Sequence, residues 1–419
     1  MSDDPGASLV RWLFPAYIFV ILIGFFALRV PGVMPGGNEL NPDRAVFTSV
    51  NAATLTGFQY SIDPTGFFTP GKVILLILTV LGTLFALIVG GLAAKRILGL
   101  DWPDRRIYAG AFMAEALVLV MGAFASTGGG RNLLGSIMQA AAAWANSGLR
   151  VEIAPGANEV YTHVVLLPLG LLGGLGLVVL LQILDALIRG TALLRHTRVV
   201  LQMTAALFLI GFVGCVLLQV MNLEALGWHP TGSSALPGKP ERWSAALSRL
   251  LPRILTNASI TSLNARTAGM SIVPVTEFPR AMSFFVMLLM MVGASPAGTG
   301  GGLKTTTIYE LLDAPRRMLH GLPLSRTTGI AATWLGIYLI AVAFFQMMLL
   351  WAEPQMPGDR LLFITISALS NVGLSHDILS MTRTSLLLVS AAMFFGRIAP
   401  LLILWWMVDT THDADLMVG

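Results

Sequence analysis

Charge is what this sequence has least of. Only 11% of its 419 residues are Asp, Glu, Lys or Arg, against 55% that are hydrophobic, whereas a soluble domain carries about 25% charged residues. Such a chain cannot clothe a water-exposed surface, which excludes an ordinary cytosolic enzyme and also excludes disorder. Cysteine is almost absent: Cys215 stands alone and closes no disulfide within the chain. Histidine is scarce, and His163, His196, His229 and His376 lack metal-ligand spacing, so they read as interfacial or loop residues. The net charge of +4 is scattered singly or in pairs between apolar runs. That pattern suits a membrane-topology signal rather than a nucleic-acid surface.

Long apolar runs and 43 glycines fill the space that charge leaves. The first run, 9–28, is long enough to span hydrocarbon and exceeds the usual signal-peptide core of about 7–15 residues. It reads as a retained helix. Further runs cover 71–98, 106–127, 158–188, 199–226, 279–310, 327–352 and 382–408, which makes eight. Between the members of each pair lies a shorter, less apolar segment, at 42–56, 131–147, 242–264 and 358–372. The chain therefore reads as four repeats of long helix, short helix with glycine turn, long helix. Their bounds are 1–100, 101–196, 197–322 with a broken second helix, and 323–419.

Basic residues set the expected orientation. Lys95, Arg96, Arg105, Arg106, Arg189, Arg195, Arg198, Lys304, Arg316, Arg317 and Arg326 cluster in the connections between repeats, and acidic residues dilute the connections within them. The between-repeat side is expected to be cytoplasmic, with both termini there and all four glycine turns facing outside. Arg189, Arg195 and Arg198 read as topology anchors, and Met347 and Met348 as lipid-facing or packing residues.

The turns read TLTGF at 54–58, ANSGL at 145–149, ARTAGM at 265–270 and SNVGL at 370–374. Glycine permits conformations in which successive carbonyls point one way, and four such turns around an axis can replace the hydration shell of a cation. Each short helix would aim its negative C-terminal end at that axis. A single such glycine is also a common helix cap; recurrence in four equivalent places favours the filter.

These turns, with GASPAGTGGGLKTTT at 293–307 and FFGRIAPL at 394–401, resemble the signatures of the Trk/Ktr/HKT potassium transporter superfamily, in that superfamily's order and over essentially the whole chain. Without a long N-terminal extension, the layout is closer to the KtrB-type membrane subunit than to the TrkH type with two more helices. The resemblance implies an all-α membrane protein of eight transmembrane helices with fourfold pseudosymmetry around one pore. It implies a filter of Thr56, Gly57, Asn146, Ser147, Gly148, Thr267, Ala268, Gly269, Asn371, Val372 and Gly373, with K⁺ held by backbone carbonyls. It further implies a gate of Gly293, Ser295, Pro296, Gly298, Thr299, Gly301, Gly302, Lys304 and Arg397. Serine at the first filter position goes with sodium selectivity in the plant branch, and position 57 is glycine, so potassium is the expected ion. Trp144 and Ala145 before the second turn, Asn371 in the fourth and Met270 after the third depart from the usual pattern.

Read from its residues alone, 293–303 crowds Gly293, Gly298, Gly300, Gly301 and Gly302 around Pro296 inside an apolar run, which predicts a break within the membrane. A nucleotide phosphate loop needs glycine directly before the lysine; Leu303 stands there. Arg397 lies deep in a span, where a charge is expensive and faces a cavity or partner. It serves either as an electrostatic barrier to cations or as a structural tie to the carbonyls of a broken helix. Glu115 reads as a structural partner of a cation or helix end, ahead of the alternative of a direct role at an ion site, and Arg266 as a brace of the filter.

The expected activity is K⁺ uptake at a bacterial inner membrane, with no enzymatic chemistry and no cofactor in the chain itself. The alternatives are a sodium-permeable member, or one that symports K⁺ with Na⁺ or H⁺. The resemblance implies a homodimer with a cytosolic nucleotide-binding regulatory subunit of RCK/KTN type, contacted through the basic loops at 95–106 and 189–198.

Overall fold

Apolar stretches punctuated by proline and glycine fold into a succession of α-helices. The computed structural model describes residues 5–34, 40–59, 66–127, 132–152, 155–222, 243–268, 270, 272–376 and 380–410. In chain order the helices are α1 (Pro5–Leu28), α2 (Pro42–Ala53), α3 (Thr69–Ile97), α4 (Asp104–Thr127), α5 (Leu133–Trp144), α6 (Leu167–Leu175) and α7 (Leu177–Arg189). They continue as α8 (Arg195–Met221), α9 (Trp243–Leu263), α10 (Arg280–Met291), α11 (Thr305–Leu319), α12 (Arg326–Ala352), α13 (Gly358–Leu369) and α14 (Arg383–Thr410). Among the described residues no β-strand forms; one isolated bridge joins Val292 and Leu303.

The helices α3, α4, α8, α12 and α14 are each long and apolar enough to cross a membrane, and α6 with α7 makes a sixth crossing if the bent pair is one span. The eight predicted runs are reached only by adding α1 and the interrupted passage α10–α11. Each short helix, α2, α5, α9 and α13, packs against the helices that precede and follow it. Pro42 opens α2 within its first turn, where the missing N–H costs nothing. Asn132 caps α5 by accepting from the Leu134 N–H.

Small residues let these helices approach. A Cβ on Gly82 of α3 would collide with the carbonyl of Ala53, one on Gly173 of α6 with that of Trp144, and one on Gly396 of α14 with that of Leu369. Ala53, Trp144 and Leu369 each lie four residues before a turn glycine. One contact thus recurs in the first, second and fourth repeats. Tyrosines reinforce it: Tyr17 of α1 donates to the Ala53 carbonyl at 2.7 Å, and Tyr338 of α12 bonds Ser370 Oγ at 2.7 Å.

The second repeat differs from its sequence reading. The run 158–188 was expected as one helix, but α6 and α7 meet at 101°. Gly176 sits at the break with φ 84° and ψ 151°, a conformation closed to residues with a Cβ. The break predicted at 293–303 does form, between α10 and α11.

Candidate functional site

Three of the turns are built alike. In the first, the N–H of Thr54 donates to the Val50 carbonyl, Leu55 to Ala52 and Thr56 to Asn51. The second repeats this with Ala145 to Ala141, Asn146 to Ala143 and Ser147 to Ala142, and the fourth with Ser370 to Ile366, Asn371 to Ala368 and Val372 to Ser367. This is a Schellman-type helix end, which needs one left-handed residue. That residue is Leu55 (φ 60°), Asn146 (φ 54°) and Asn371 (φ 49°), in each case two positions before the turn glycine. Asparagine tolerates the conformation; for leucine it costs about 1–2 kcal/mol, which the fully buried Leu55 recovers by packing.

After each cap the chain runs inward and the turns meet. The Gly148 N–H points at the Thr56 carbonyl at 3.4 Å, and Gln59 Nε2 donates to the Gly148 carbonyl at 2.9 Å. A Cβ on Gly57 (φ +87°) would overlap the Gly148 backbone, and one on Gly373 (φ +82°) would strike the Thr56 carbonyl. Asn51 holds the first turn in shape: its Oδ1 accepts from the N–H of Gly57 at 2.8 Å and of Phe58 at 2.9 Å, and its Nδ2 donates to the Phe58 carbonyl at 2.9 Å.

The third turn is different. There α9 runs into a π-helical segment, Asn264–Ala268, which carries Thr267 and Ala268; Gly269 lies outside the described residues. Asn264 Nδ2 donates to the Met270 carbonyl at 2.6 Å, a counterpart of the Asn51 brace. The buried Arg266 donates from Nη1 to the Thr204 carbonyl of α8 at 3.1 Å, tying this turn to the first helix of its repeat.

Beneath the turns lies the loop 292–304, pinched shut at its neck: the Gly293 N–H donates to the Leu303 carbonyl at 2.8 Å and the Leu303 N–H to Met291 at 2.9 Å. The break at Gly176 explains where the loop sits. Interrupting the helix frees the carbonyls of Gly173 and Gly174, and buried carbonyls must find donors. They find the N–H groups of Thr299, at 3.2 Å, and Ser295, at 3.0 Å. Gly298 and Gly301 lie so close to Gly174 and to Ser370 that a Cβ would clash.

Thr299 is the convergence point. Its Oγ1 donates to the Trp144 carbonyl at 3.0 Å and accepts from Asn146 Nδ2 at 2.7 Å. Its carbonyl accepts from Arg397 Nη1 at 2.6 Å. The same guanidinium donates from Nε at 2.9 Å and from Nη2 at 2.6 Å to the Thr54 carbonyl, at the end of α2. Arg397 therefore links turn to loop and sits on the negative end of a helix. Lys304, buried, donates to the Gly300 carbonyl at 2.6 Å. Among the described residues neither cation pairs with a carboxylate, so two positive charges are held below the turns by carbonyl dipoles alone.

The sequence profile of the TrkH family, described as a cation transport protein, matches residues 127–408. The chain belongs to the TrkH family. Its match to the Ktr system potassium uptake protein B of Vibrio alginolyticus is 24% identical and covers 95% of this chain and 91% of that one. The potassium/sodium uptake protein NtpJ of Enterococcus hirae is 22% identical, with 97% and 94% covered. The crystal structure of the potassium transporter TrkH from Vibrio parahaemolyticus superposes with a TM-score of 0.66 at 15% identity, covering 94% of this chain and 84% of that one. The fold is shared with that structure. This TrkH-family chain is a multi-pass membrane protein and a cation transporter, not an enzyme.

Two sequence expectations need correction. His196 is not in a loop: it is fully buried in the first turn of α8, with both ring nitrogens unpartnered. Among the described residues Glu115 pairs with no cation or helix end; the buried carboxyl faces the Trp144 side chain. His163 does lie exposed, its Nε2 2.8 Å from the Ala157 carbonyl, while His229 falls outside the described residues. Met347 is exposed on the outer face of α12. Parts of the site not signalled by any motif are the break at Gly176 and the close-contact glycines Gly82 and Gly173. Their only trace in the sequence is glycine inside an otherwise apolar run.

Proposed function

We propose that the chain carries K⁺ inward through a pathway lined by the four turns, with 293–303 as its gate. The observation that carries this reading is the meeting of three identically capped turns, which bring Thr56, Gly148 and Gly373 into backbone contact at the ends of three short helices. In this reading backbone carbonyls of Thr56–Gly57, Asn146–Gly148, Thr267–Gly269 and Asn371–Gly373 replace the ion's water, and the short helices turn their negative ends toward it. Non-helical backbone at membrane depth is tolerated where it lines such a pathway. Transport is driven by the membrane potential, about 2.3 kcal/mol per charge per 100 mV.

The gate reading rests on the loop's position and charge. Its backbone fills the space below the turns, and Arg397 and Lys304 add positive charge on the path of a cation. Opening requires the Thr299 and Arg397 bonds to exchange for water. Glu115 and Arg397 form no ion pair, so the paired intramembrane groups expected of a coupled symporter are not built from them.

The wider assembly is part of the same proposal: both termini cytoplasmic, a homodimer, and a cytosolic nucleotide-binding regulator of RCK/KTN type. The named relatives are potassium and potassium/sodium uptake proteins, which supports potassium first and sodium as the second reading. Rubidium uptake into proteoliposomes, competed by K⁺ or Na⁺, tests it. Stronger competition by K⁺ than by Na⁺ is the expected result; no rubidium uptake under a negative interior potential would refute the proposal.

A further inference from the structure

The helix α7 turns its polar side toward the protein and its apolar side outward, the reverse of a helix on a soluble surface. Gln182, Asp185 and Arg189, its polar residues, fall three and four positions apart and share one stripe. That stripe is engaged inside the molecule. Gln182 is buried and its Oε1 accepts from Thr197 Oγ1, Asp185 Oδ1 accepts from Arg106 Nη2 at 2.7 Å, and Arg189 lies 3.8 Å from the same carboxylate. The opposite side bears Leu184, Leu187 and Ile188, which are 48%, 79% and 72% exposed, and no charge. Large apolar side chains at this spacing form one patch, of the kind that marks contact with a protein or a membrane.

The partners of the stripe fix its depth. Arg106 and Thr197 are the third residues of α4 and α8, both spans, so the middle of α7 lies level with the first turns of both. Its start lies deeper: a Cβ on Gly110, four residues further into α4 than Arg106, would touch Leu177 and Leu181. From Leu177 to Asp185 the helix is about 12 Å long, yet it climbs only about 6 Å along α4. The 101° turn at Gly176 agrees with this shallow slope. The 13 residues of α7 reach about 20 Å, too little to cross about 30 Å of hydrocarbon. Both neighbouring spans expose apolar side chains further along, Phe112 and Met113 on α4 and Leu209 and Ile210 on α8, so the helices that hold α7 are themselves bordered by lipid.

We infer that α7 lies along the surface of the bilayer, with Leu184, Leu187 and Ile188 seated among the acyl chains of the leaflet where α4 and α8 begin, the cytoplasmic one in the proposed orientation. The partner is the hydrocarbon of the lipid and not a headgroup charge, because the outer face offers none. A consequence for the loop follows, and this part rests on the gate reading above. The helix starts at Gly176, where a Cβ would press on Ala297, directly after the Gly173 and Gly174 carbonyls that hold Thr299 and Ser295. The bilayer surface thus carries the seat of the loop, and lifting α7 out of the lipid loosens it.

The test places a nitroxide on Leu184→Cys, Leu187→Cys or Ile188→Cys in the full-length protein, in a Cys215→Ala background and in proteoliposomes. It compares collisions with oxygen, which concentrates in hydrocarbon, against collisions with a nickel chelate confined to water. The oxygen-to-nickel ratio is expected to be at least about fivefold higher at each position than at Asp101→Cys, in the connection before α4. A ratio equal to that at Asp101→Cys overturns the lipid contact. Spin–spin broadening between copies at Leu187→Cys also overturns it, since a second copy would then cover the face. Rubidium uptake tests the link to the loop. Leu187→Glu/Ile188→Glu is expected to raise uptake at least about fivefold, and Leu187→Phe/Ile188→Phe, which keeps the face apolar, to leave it within about twofold. Equal uptake in the two variants, while Arg397→Ala still raises it, overturns the link. If Arg397→Ala changes nothing either, the gate reading has failed, and the collision ratios alone decide where α7 lies.

Discussion

The turns and the loop beneath them are both irregular backbone held at membrane depth, but they are held in opposite ways. The turns meet one another across repeats, but the shape of each is fixed locally. The first, second and fourth each cap their own short helix, Asn51 braces the first from six and seven residues away, and Gly82, Gly173 and Gly396 press α2, α5 and α13 against the helix that follows each. The loop closes its own neck but is held against the turns from afar: Thr299 bonds Trp144, Asn146, Gly173 and Arg397, all from other repeats. Local bonds cannot break without unfolding a repeat, whereas bonds between repeats can exchange as the repeats shift. In the proposed function the turns take the permanent role and the loop the displaceable one.

The largest effect is expected where the turns are tightest. Gly57→Ala places a Cβ into the Gly148 backbone at a φ of +87° and should lower rubidium uptake by more than about tenfold, because neither backbone can yield. Uptake within a factor of about two would remove the claim that the turns are rigid. Arg397→Ala deletes three bonds to carbonyls, each worth about 1.5–3 kcal/mol for a charged donor, and is expected to raise flux by about tenfold. Wild-type kinetics in a folded variant would count against the barrier. A smaller rise, about threefold, is expected from Thr299→Val, which removes two neutral bonds of about 1 kcal/mol each while keeping the shape. The least effect belongs to Glu115→Gln. If the carboxyl only packs against Trp144, uptake should stay within about twofold; a collapse would move Glu115 into the ion pathway.

This contrast also marks what could be read in advance. The turns were legible because each is a local device, a short helix followed by glycine, and four copies reinforce one another. The 293–303 break and the intramembrane Arg397 were legible for the same reason, as local violations of apolar composition. The bend at Gly176 was not, since it is one of four glycines in 170–176 and glycine costs a membrane helix little. Its purpose, freeing the Gly173 and Gly174 carbonyls for Thr299 and Ser295, depends on residues in another repeat. The burial of His196 and the Glu115–Trp144 contact were hidden likewise, because packing between helices leaves no periodic trace.

The central claim is that the loop closes a pathway whose selective part lies in the turns, so the two properties should separate. The direct measurement is rubidium flux into proteoliposomes at a fixed inside-negative potential for Arg397→Ala/Thr299→Val beside the wild type, with K⁺ and Na⁺ as competitors. The account predicts faster flux than in either single variant with the preference for K⁺ over Na⁺ unchanged. Flux at or below the wild-type rate in protein that keeps its elution profile, or a preference lost together with the closure, would contradict it.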